Sequence, residues 1–238
     1  MSSLTQLKKE LKKIASPKQA KILQRFFKTG KGEYGEKDIF LGIKVPEQRK
    51  VADKFRELSL ENIAELLNSK IHEYRMTALF ILIKQYQKAN ECEKKIIFNF
   101  YLKNIKDINN WDLVDLSAPK IVGDYLLDKP RDVLYKLARS KNLWERRIAI
   151  ISNWIIIRNN EFDDTLKIAK ILLNDKHDLI HKAVGWMLRE VGKRDQKIEE
   201  EFLQKYYLKM PRVMLRYAIE KFSEQKRKFY LRKKNKQC

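Results

Sequence analysis

Two stretches of this chain, Glu73-Tyr-Arg-Met-Thr-Ala-Leu79 and Trp144-Glu-Arg-Arg-Ile-Ala-Ile150, share the pattern that determines the predicted fold. Each places an arginine three residues before an alanine and then continues with apolar residues, and the two alanines lie about 71 residues apart. Further small residues follow Ala149 at intervals of about 36 and 33 residues, at Gly185 and Ala218. Small residues at one phase let neighbouring helices approach closely. The irregular period and weak identity are typical of HEAT-like helical repeats rather than of a strict consensus array.

The rest of the chain also has helical periodicity. Strand-like alternation is scarce, and only 7 glycines and 5 prolines interrupt the 238 residues. Four prolines fall at expected first-turn positions, where a missing N–H costs little: Pro17, Pro46, Pro130 and Pro211. We therefore predict an all-α stack of helix pairs in one domain over residues 1–238, with a basic tail at 226–238. The predicted helices lie near 4–14, 17–28, 46–58, 60–69, 72–90, 92–105, 110–127, 130–140, 143–158, 161–174, 177–194, 197–208, 211–222 and 223–233.

The charge of the chain indicates a polyanionic partner. Its 52 lysines and arginines outnumber 31 aspartates and glutamates, which gives a net charge of +21 at pH 7. Such an excess repels itself in the folded state, and a bound polyanion relieves the repulsion. Nucleic acid is the first candidate and an anionic membrane surface the second. The most apolar stretch, 148–157, is too short to span a bilayer, so we expect no membrane insertion.

Neither the cysteines nor the histidines indicate a metal or cofactor site. Cys92 and Cys238 are far apart and form no paired motif, which favours reduced thiols in a cytoplasmic protein. The three histidines, His72, His177 and His181, lack metal-ligand spacing with a third group. We expect no metal and no cofactor.

The segment Thr29–Asp38 contains three of the 7 glycines. Within it, Gly30-Lys-Gly-Glu-Tyr-Gly35 matches the letters of a dinucleotide-binding fingerprint, G-x-G-x-x-G. That fingerprint needs a strand before it and a helix directly after it, whereas a helix is predicted before this segment. We therefore expect a flexible lid or a loop that makes backbone contacts rather than a nucleotide site.

The predicted helix 177–194 places a tryptophan outside its apolar stripe. Trp186 lies roughly 110–120° from the centre of the stripe at about 100° per residue. Its angular neighbours are the cations Lys182, Arg189 and Lys193. A tryptophan on a helix ordinarily belongs to the core, but this phase places it on a cationic face. An indole among cations can stack on a base or ribose while its neighbours hold phosphates.

The predicted helix 110–127 has the opposite anomaly, because a carboxylate lies on its apolar side. Trp111 and Asp115, one turn apart, share that side with Val114 and Ala118. An aspartate there is unfavourable unless it is paired or hydrogen-bonded. It is either a structural aspartate paired with an arginine or a carboxylate poised beside an indole in a cleft. Pro119 cannot donate to the Asp115 carbonyl, so we expect a local kink or hydration.

Arg147 is a third residue in an unexpected environment. The predicted helix 143–158 is apolar nearly all round, and Arg147 shares a side with Trp144, Ile151 and Trp154. A guanidinium in such a place needs a carboxylate or a phosphate, and Asp115, DNA or both would serve. Arg146 points elsewhere and is interpreted as surface charge.

These residues fall within segments that resemble the AlkD-like family of DNA alkylation-repair glycosylases. The resemblance extends from about residue 20 to about residue 230 in the same order. The segments that carry it are Asn110-Trp-Asp-Leu-Val-Asp-Leu-Ser-Ala-Pro119, Leu143-Trp-Glu-Arg-Arg-Ile-Ala149, Lys182-Ala-Val-Gly-Trp-Met-Leu-Arg-Glu190, Phe40-Leu-Gly-Ile-Lys-Val-Pro-Glu47 and Met210-Pro-Arg-Val-Met-Leu-Arg-Tyr-Ala218.

The resemblance implies a right-handed solenoid of HEAT-like helix pairs that holds duplex DNA in a basic concave face. It implies hydrolysis of the N-glycosidic bond of N3- or N7-alkylated purines. We expect no lyase step, because no isolated catalytic lysine is evident in the sequence. It also implies the site residues: Asp115 as the catalytic carboxylate, Trp111 and Trp186 as the tryptophans that face DNA, and Arg147 as the active-site arginine. The basic residues expected to bind DNA are Lys182, Arg189, Lys193, Arg75 and Arg216.

Two positions depart from the family pattern, and they bear on which lesions the chain would accept. Phe26 replaces an aromatic hydroxyl that some members place in the second helix, and Asn110 precedes Trp111 where an aromatic residue is found in the family. The competing hypothesis is a non-catalytic HEAT-like scaffold that binds nucleic acid or protein. We expect a monomer that acts on double-stranded DNA with alkylated bases in the cytoplasm, at the nucleoid when it is bound to DNA.

Overall fold

In the computed structural model, residues 3–36 and 38–232 are described, and all their regular structure is helical. The one pairing of extended chain among them is an isolated parallel bridge between Ile39 and Ile71. The predicted all-α class is confirmed. The described residues form two compact units that divide between Tyr125 and Leu126. One domain over residues 1–238 stays a prediction, and the part of the predicted basic tail at 233–238 lies outside the described residues.

The first unit contains seven α-helices among its described residues. They are α1 (Ser3–Lys13), α2 (Pro17–Phe26), α3 (Val45–Lys54), α4 (Leu60–Leu67), α5 (His72–Lys88), α6 (Glu91–Lys103) and α7 (Trp111–Ala118). Helix α5 is the centre of this unit, because it packs against α3, α4, α6 and α7 and buries residues on every side. A helix enclosed in this way needs no polar face, which explains the nearly continuous apolar run from Met76 to Ile83.

Helix α7 ends where the sequence predicts an irregularity. Pro119 has no N–H to donate, and the chain continues as a π-helical turn over Pro119–Gly123. The predicted helix 110–127 is therefore interrupted after Ala118, where the helix changes type at the proline for which a local kink or hydration was expected. The interruption leaves a short helix with Trp111 at its first residue and Asp115 one turn later.

The second unit has the helices α8 (Asp132–Ala138), α9 (Leu143–Ile151), α10 (Asn153–Arg158), α11 (Asp163–Ile171), α12 (Asp178–Arg194), α13 (Gln196–Tyr206), α14 (Arg212–Ala218) and α15 (Glu224–Leu231). Helix α12 is central and packs against α9, α13 and α14. A Cβ at Gly185 would collide with the Met214 carbonyl and with Tyr217, so a small residue is required where α12 meets α14. The close approach predicted from the recurring small residues is present at this contact.

Helix starts explain several of the observed boundaries. Pro17 begins α2 and Pro46 lies in the first turn of α3, as predicted, whereas Pro130 and Pro211 lie before the first turns of α8 and α14. Side-chain oxygens of Ser16, Ser59, Asn90 and Asp195 accept hydrogen bonds from the first turns of their helices. None of the described helices is long and apolar enough to cross a lipid bilayer.

Candidate functional site

The four residues predicted to form a catalytic site fall into both units. Trp111 and Asp115 lie on α7 in the first unit, whereas Arg147 lies on α9 and Trp186 on α12 in the second. The structure brings Trp111 and Asp115 together by placing them one turn apart on one short helix. Each unit is therefore described by itself.

The indole of Trp111 is fixed by ring contacts on one face and by a hydrogen bond at its Nε1 edge. Its ring stacks on Phe27 with centroids 5.3 Å apart and an interplanar angle of 20°, and it meets the edge of Phe26 at 6.0 Å. Its Nε1 donates to the hydroxyl of Tyr34 at 3.2 Å. The N-cap Asn110 accepts the Trp111 amide at 2.8 Å. The half-buried indole is thus fixed before any ligand arrives, and Tyr34 is a partner that sequence reasoning missed.

Asp115 is half-exposed, while Val114 and Ala118 beside it are buried. The carboxylate therefore lies at the margin of the apolar side rather than in the core, and it keeps contact with solvent. Burial and, secondarily, the negative charge of Asp115 raise the pKa of the Tyr101 hydroxyl, which is hydrogen-bonded with Ser117 Oγ at 2.9 Å. Tyr101 therefore remains a neutral hydrogen-bond partner of Ser117 at neutral pH.

A buried cluster of ionisable groups lies beneath the first turn of α7. His72 Nε2 is 2.8 Å from Asp112 Oδ2, and His72 Nδ1 is 3.3 Å from Asp38 Oδ2. Burial alone would lower the pKa of His72, but the carboxylates of Asp112 and Asp38 outweigh it and raise the pKa to about 9. Burial would raise the pKa of Asp38, but hydrogen bonds from His72 and Arg75 outweigh it and hold that pKa below its ordinary value. Asp112, a carboxylate in the first turn of α7, therefore has a specific partner in His72.

The same cluster corrects the prediction for Arg75. Its side chain is 3 % exposed, its Nη2 pairs with Asp38 Oδ1 at 2.7 Å, and its Nη1 donates to the Ser69 carbonyl at 2.8 Å. A guanidinium that is buried and paired in this way is not presented to a DNA phosphate. The repeat pattern marked the position of Arg75 but contained no information on its burial.

Glu73, the neighbour of His72, fixes the segment that follows Thr29–Asp38, the glycine-rich loop. Its buried carboxylate accepts the backbone amides of Leu41, Gly42 and Ile43 at 2.9, 2.7 and 3.2 Å. Gly42 has φ of 81°, and a Cβ there would collide with the backbone of Ser16 and Ala20. These contacts give the Phe40–Glu47 motif a structural role, because they attach its backbone to α5 and to the start of α2.

The glycine amides of the glycine-rich loop are hydrogen-bonded within the loop or to the chain just before it. The amides of Gly30 and Gly32 donate to the carboxylates of Glu33 and Glu36 at 2.9 and 3.1 Å, and the Gly35 amide donates to the Lys28 carbonyl. Helix α2 precedes the loop. Acidic side chains therefore occupy the amides that a phosphate would need, and the described residues of the loop do not form a nucleotide cradle.

The surface around Trp186 is less uniformly cationic than its sequence phase suggests. Trp186 is half-buried, and its Nε1 donates to Glu190 Oε1 at 3.1 Å. Lys193 donates to the same oxygen at 2.7 Å, and Arg189 pairs with both Glu190 and Glu220. Lys193, whose side chain is 43 % exposed, forms a surface pair of the kind that contributes about 0–1 kcal/mol and that a phosphate can displace. Arg189 and Glu190 are only 17 and 16 % exposed, so their pair is more enclosed. Glu190 lies four residues after Trp186, a spacing that places the two side chains next to each other on a helix and could have indicated this hydrogen bond from sequence.

The remaining predicted cations differ in their access to solvent. Lys182 pairs with Asp178 at 2.6 Å, and its side chain remains 39 % exposed. Arg216 is exposed on α14. Arg146, interpreted from sequence as surface charge, is instead half-buried and paired with Asp175 at 2.6 Å.

Arg147 is buried, with 4 % exposure, and its Nη1 donates to the Leu179 carbonyl at 2.5 Å. Leu179 lies in the first turn of α12, so Arg147 joins α9 to the start of the helix that carries Trp186. We expected the Arg147 guanidinium to need a carboxylate or a phosphate. One of its partners is instead the backbone carbonyl of Leu179.

The comparisons with known proteins agree with this architecture. The profile of a family described as DNA alkylation repair enzyme matches residues 7–222. A solved structure described as a predicted DNA alkylation repair enzyme from Enterococcus faecalis is similar to this chain, with a TM-score of 0.69 and 18% identity over 88% of this chain and 97% of that chain. At that identity the likeness shows a shared fold. A search of the curated proteins gave no match. Because the family profile covers most of its length, this chain belongs to the family of DNA alkylation repair enzymes.

Proposed function

We propose that this protein hydrolyses the N-glycosidic bond of N3- or N7-alkylated purines in duplex DNA, with Asp115 as the catalytic carboxylate. The observation that supports the proposal most is the arrangement on α7, where a half-exposed carboxylate lies one turn from a half-buried, pre-positioned indole. Membership of a DNA alkylation repair family makes alkylated DNA the natural substrate class.

The reaction suits a single carboxylate. An N3- or N7-alkylated purine carries a positive charge, so it leaves with the bonding electron pair without prior protonation. The C1′–N bond breaks, the sugar develops oxocarbenium character, and a water oxygen forms the new bond to C1′ while its proton passes to Asp115 or to solvent. A fixed carboxylate stabilises the developing cation and orients the water.

The tryptophans suit the charge of the lesion. An indole face attracts a cationic base by a cation–π contact, which contributes roughly 0.5–2 kcal/mol. Trp111 is held by Phe27 and Tyr34, and Trp186 is held by Glu190, so neither ring needs to be ordered when substrate binds. We assign both rings to contacts with the damaged nucleotide or its neighbours.

The cations of the second unit are assigned to the DNA backbone. Lys182, Arg189, Lys193 and Arg216 keep solvent access, and the chain carries a net charge of +21. The partners of Lys182, Arg189 and Lys193 are carboxylates, which phosphate oxygens can replace. Arg147 is retained in the proposal as a buried guanidinium that supports the start of α12. Arg75 is not part of the proposal because it is buried.

The substrate class is tested by base release. Methylated duplex DNA, incubated with the protein, should release 7-methylguanine and 3-methyladenine, whereas unmethylated duplex should release no purine. Chromatography of the free bases measures the release, and methylated DNA without protein gives the spontaneous rate. Release at no more than the spontaneous rate contradicts the proposal, and DNA binding without release would favour the non-catalytic scaffold.

A further inference from the structure

The buried imidazole of His72 is a group that the proposed chemistry does not use. Its ring packs against Phe27 and Phe40, with centroids 5.0 and 4.6 Å away, and its side chain is 3 % exposed. An ionisable ring enclosed in this way is unfavourable unless its polar contacts offset the loss of hydration. Two sets of contacts, which we call the polar and the aromatic route, connect His72 with α7.

The first route is polar and reaches the start of α7. His72 Nε2 faces Asp112 Oδ2 at 2.8 Å, and the other oxygen of Asp112 accepts the Leu113 amide at 2.8 Å. On the opposite side of the His72 ring, Asp38 Oδ2 accepts a hydrogen bond from Asn110 Nδ2 at 3.0 Å. Asn110 Oδ1 in turn accepts one from the backbone N–H of Trp111 at 2.8 Å. The first turn of α7 is therefore attached to His72 through two carboxylates.

The second route is aromatic and reaches the indole itself. Phe27 stacks on Trp111 at 5.3 Å and also contacts the His72 ring at 5.0 Å. A shift of the imidazole therefore moves Phe27 and changes the face on which the indole rests. Both routes lead to the helix on which Asp115 lies one turn after Trp111.

The charges around His72 favour its cationic form. The charged groups that face it are Asp38, Asp112 and Arg75, and they carry two negative charges and one positive charge. A protonated His72 brings the buried cluster to zero net charge. In the cationic form, His72 Nδ1 carries a proton that it can donate to Asp38 Oδ2, 3.3 Å away. Arg75 Nη2, which is 3.4 Å from Nδ1, then has Asp38 Oδ1 as its acceptor at 2.7 Å.

We infer that His72 is a positioning residue which, as an imidazolium, orients α7 so that Trp111 and Asp115 face the substrate correctly. The inference rests on the proposed function, because Trp111 and Asp115 are its assumed site. His72 touches neither DNA nor the reacting atoms in this account. It acts through Asp112, Asp38 and Phe27.

Fluorine NMR of protein labelled with fluorotryptophan tests this coupling without any substrate. The chain has 4 tryptophans, and Trp111→Phe assigns the Trp111 resonance. In the wild-type protein this resonance should shift with a midpoint near the His72 pKa of about 9. In His72→Gln the midpoint should vanish, whereas it should persist in the control His181→Gln, which alters a half-buried histidine on α12.

The titration of the wild-type protein decides the inference even if His72→Gln does not fold. A Trp111 resonance that does not move between pH 7 and about 10, or a midpoint that survives in His72→Gln, contradicts the inference. The NMR result does not depend on catalysis. If the protein releases no alkylated base, the proposed function is wrong, and the NMR titration still shows whether His72 is coupled to Trp111.

Catalysis supplies a second readout. The single-turnover rate of base release should fall roughly tenfold in His72→Gln, while DNA affinity stays within about twofold, because misplacement of a catalytic group affects rate more than binding. If His72 acts through Asp112, the double variant with Asp112→Asn should be no slower than the slower single variant. Fully multiplicative losses, or an equal loss in His181→Gln, would contradict the assigned route.

Discussion

At the scale of single residues, Trp111 is restrained by partners that lie far away in sequence. Tyr34, whose hydroxyl accepts from the indole Nε1 at 3.2 Å, is 77 positions before it. The hydroxyl adds a directional restraint to the stacking on Phe27, since ring stacking alone permits sliding. The glycine-rich loop therefore contributes to the candidate site through a side chain rather than through its amides.

Removal of that hydroxyl should loosen the indole without unfolding the protein. Tyr34→Phe leaves the ring and deletes the hydrogen bond from Trp111 Nε1, a bond of a kind that contributes about 0.5–1.5 kcal/mol. We expect the single-turnover rate of 7-methylguanine release to fall about threefold to tenfold. The control Tyr217→Phe removes a hydroxyl from an exposed residue of α14 and should leave the rate unchanged. Equal rates for the two variants would show that the hydroxyl does not position Trp111.

At the scale of helices, a glutamate is buried where α12 meets α13. Glu199 is 1 % exposed, and its Oε1 has no hydrogen-bond partner among the described residues. A Cβ at Gly192 would collide with the Glu199 carboxyl, so glycine makes room for it. Burial, with a smaller contribution from the charge of Glu200, raises the pKa of Glu199 from 4.5 to about 9. The side chain is therefore protonated in the folded protein at neutral pH.

This burial predicts that stability falls as the pH rises. The folded state keeps a proton on Glu199 that the unfolded chain releases above pH 4.5, so the loss extends from about pH 4.5 to about 9. Its slope is at most about 1.4 kcal/mol per pH unit. His72, whose pKa rises from 6.5 to about 9, contributes a loss of the same sign within pH 6.5–9.

Urea unfolding of the wild type and of Glu199→Gln at pH 6 and pH 8 separates the two groups. The substitution keeps the shape of the side chain and removes its titration, so the wild type should lose more stability than the variant between the two pH values. The control Glu201→Gln alters an exposed neighbour and should follow the wild type. Parallel losses in the wild type and in Glu199→Gln would mean that Glu199 does not bind a proton in the folded state.

Much of the helical architecture could be predicted from sequence, because helical period and proline positions are local signals. The interruption at Pro119 and the close approach at Gly185 both follow from the chemistry of one residue. The cluster of His72 with Asp38 and Asp112 could not be predicted, because it joins residues 34 and 40 positions apart through the packing of α5. Burial of Arg75 was missed for the same reason, since repeat phase does not distinguish an interior cation from an exposed one.

At the scale of the whole molecule, the net charge of +21 makes DNA affinity dependent on salt. Each phosphate that a lysine neutralises contributes about 0.9 to the slope of log affinity against log salt concentration. Lys193→Gln should therefore weaken duplex binding and reduce the slope by about 0.9. Fluorescence anisotropy from low to moderate salt measures both, with Lys167→Gln on α11 as an exposed control. An unchanged slope in Lys193→Gln would remove Lys193 from the phosphate contacts.

The catalytic role proposed for Asp115 is tested by a kinetic comparison of three proteins. A duplex with a single 7-methylguanine is mixed with excess protein, and base release is followed for the wild type, Asp115→Asn and the control Asp163→Asn, which alters an exposed aspartate of α11. We predict a single-turnover rate lower by roughly 100-fold or more in Asp115→Asn, with DNA affinity and thermal stability retained. Release by Asp115→Asn at the rate of the control would contradict the account.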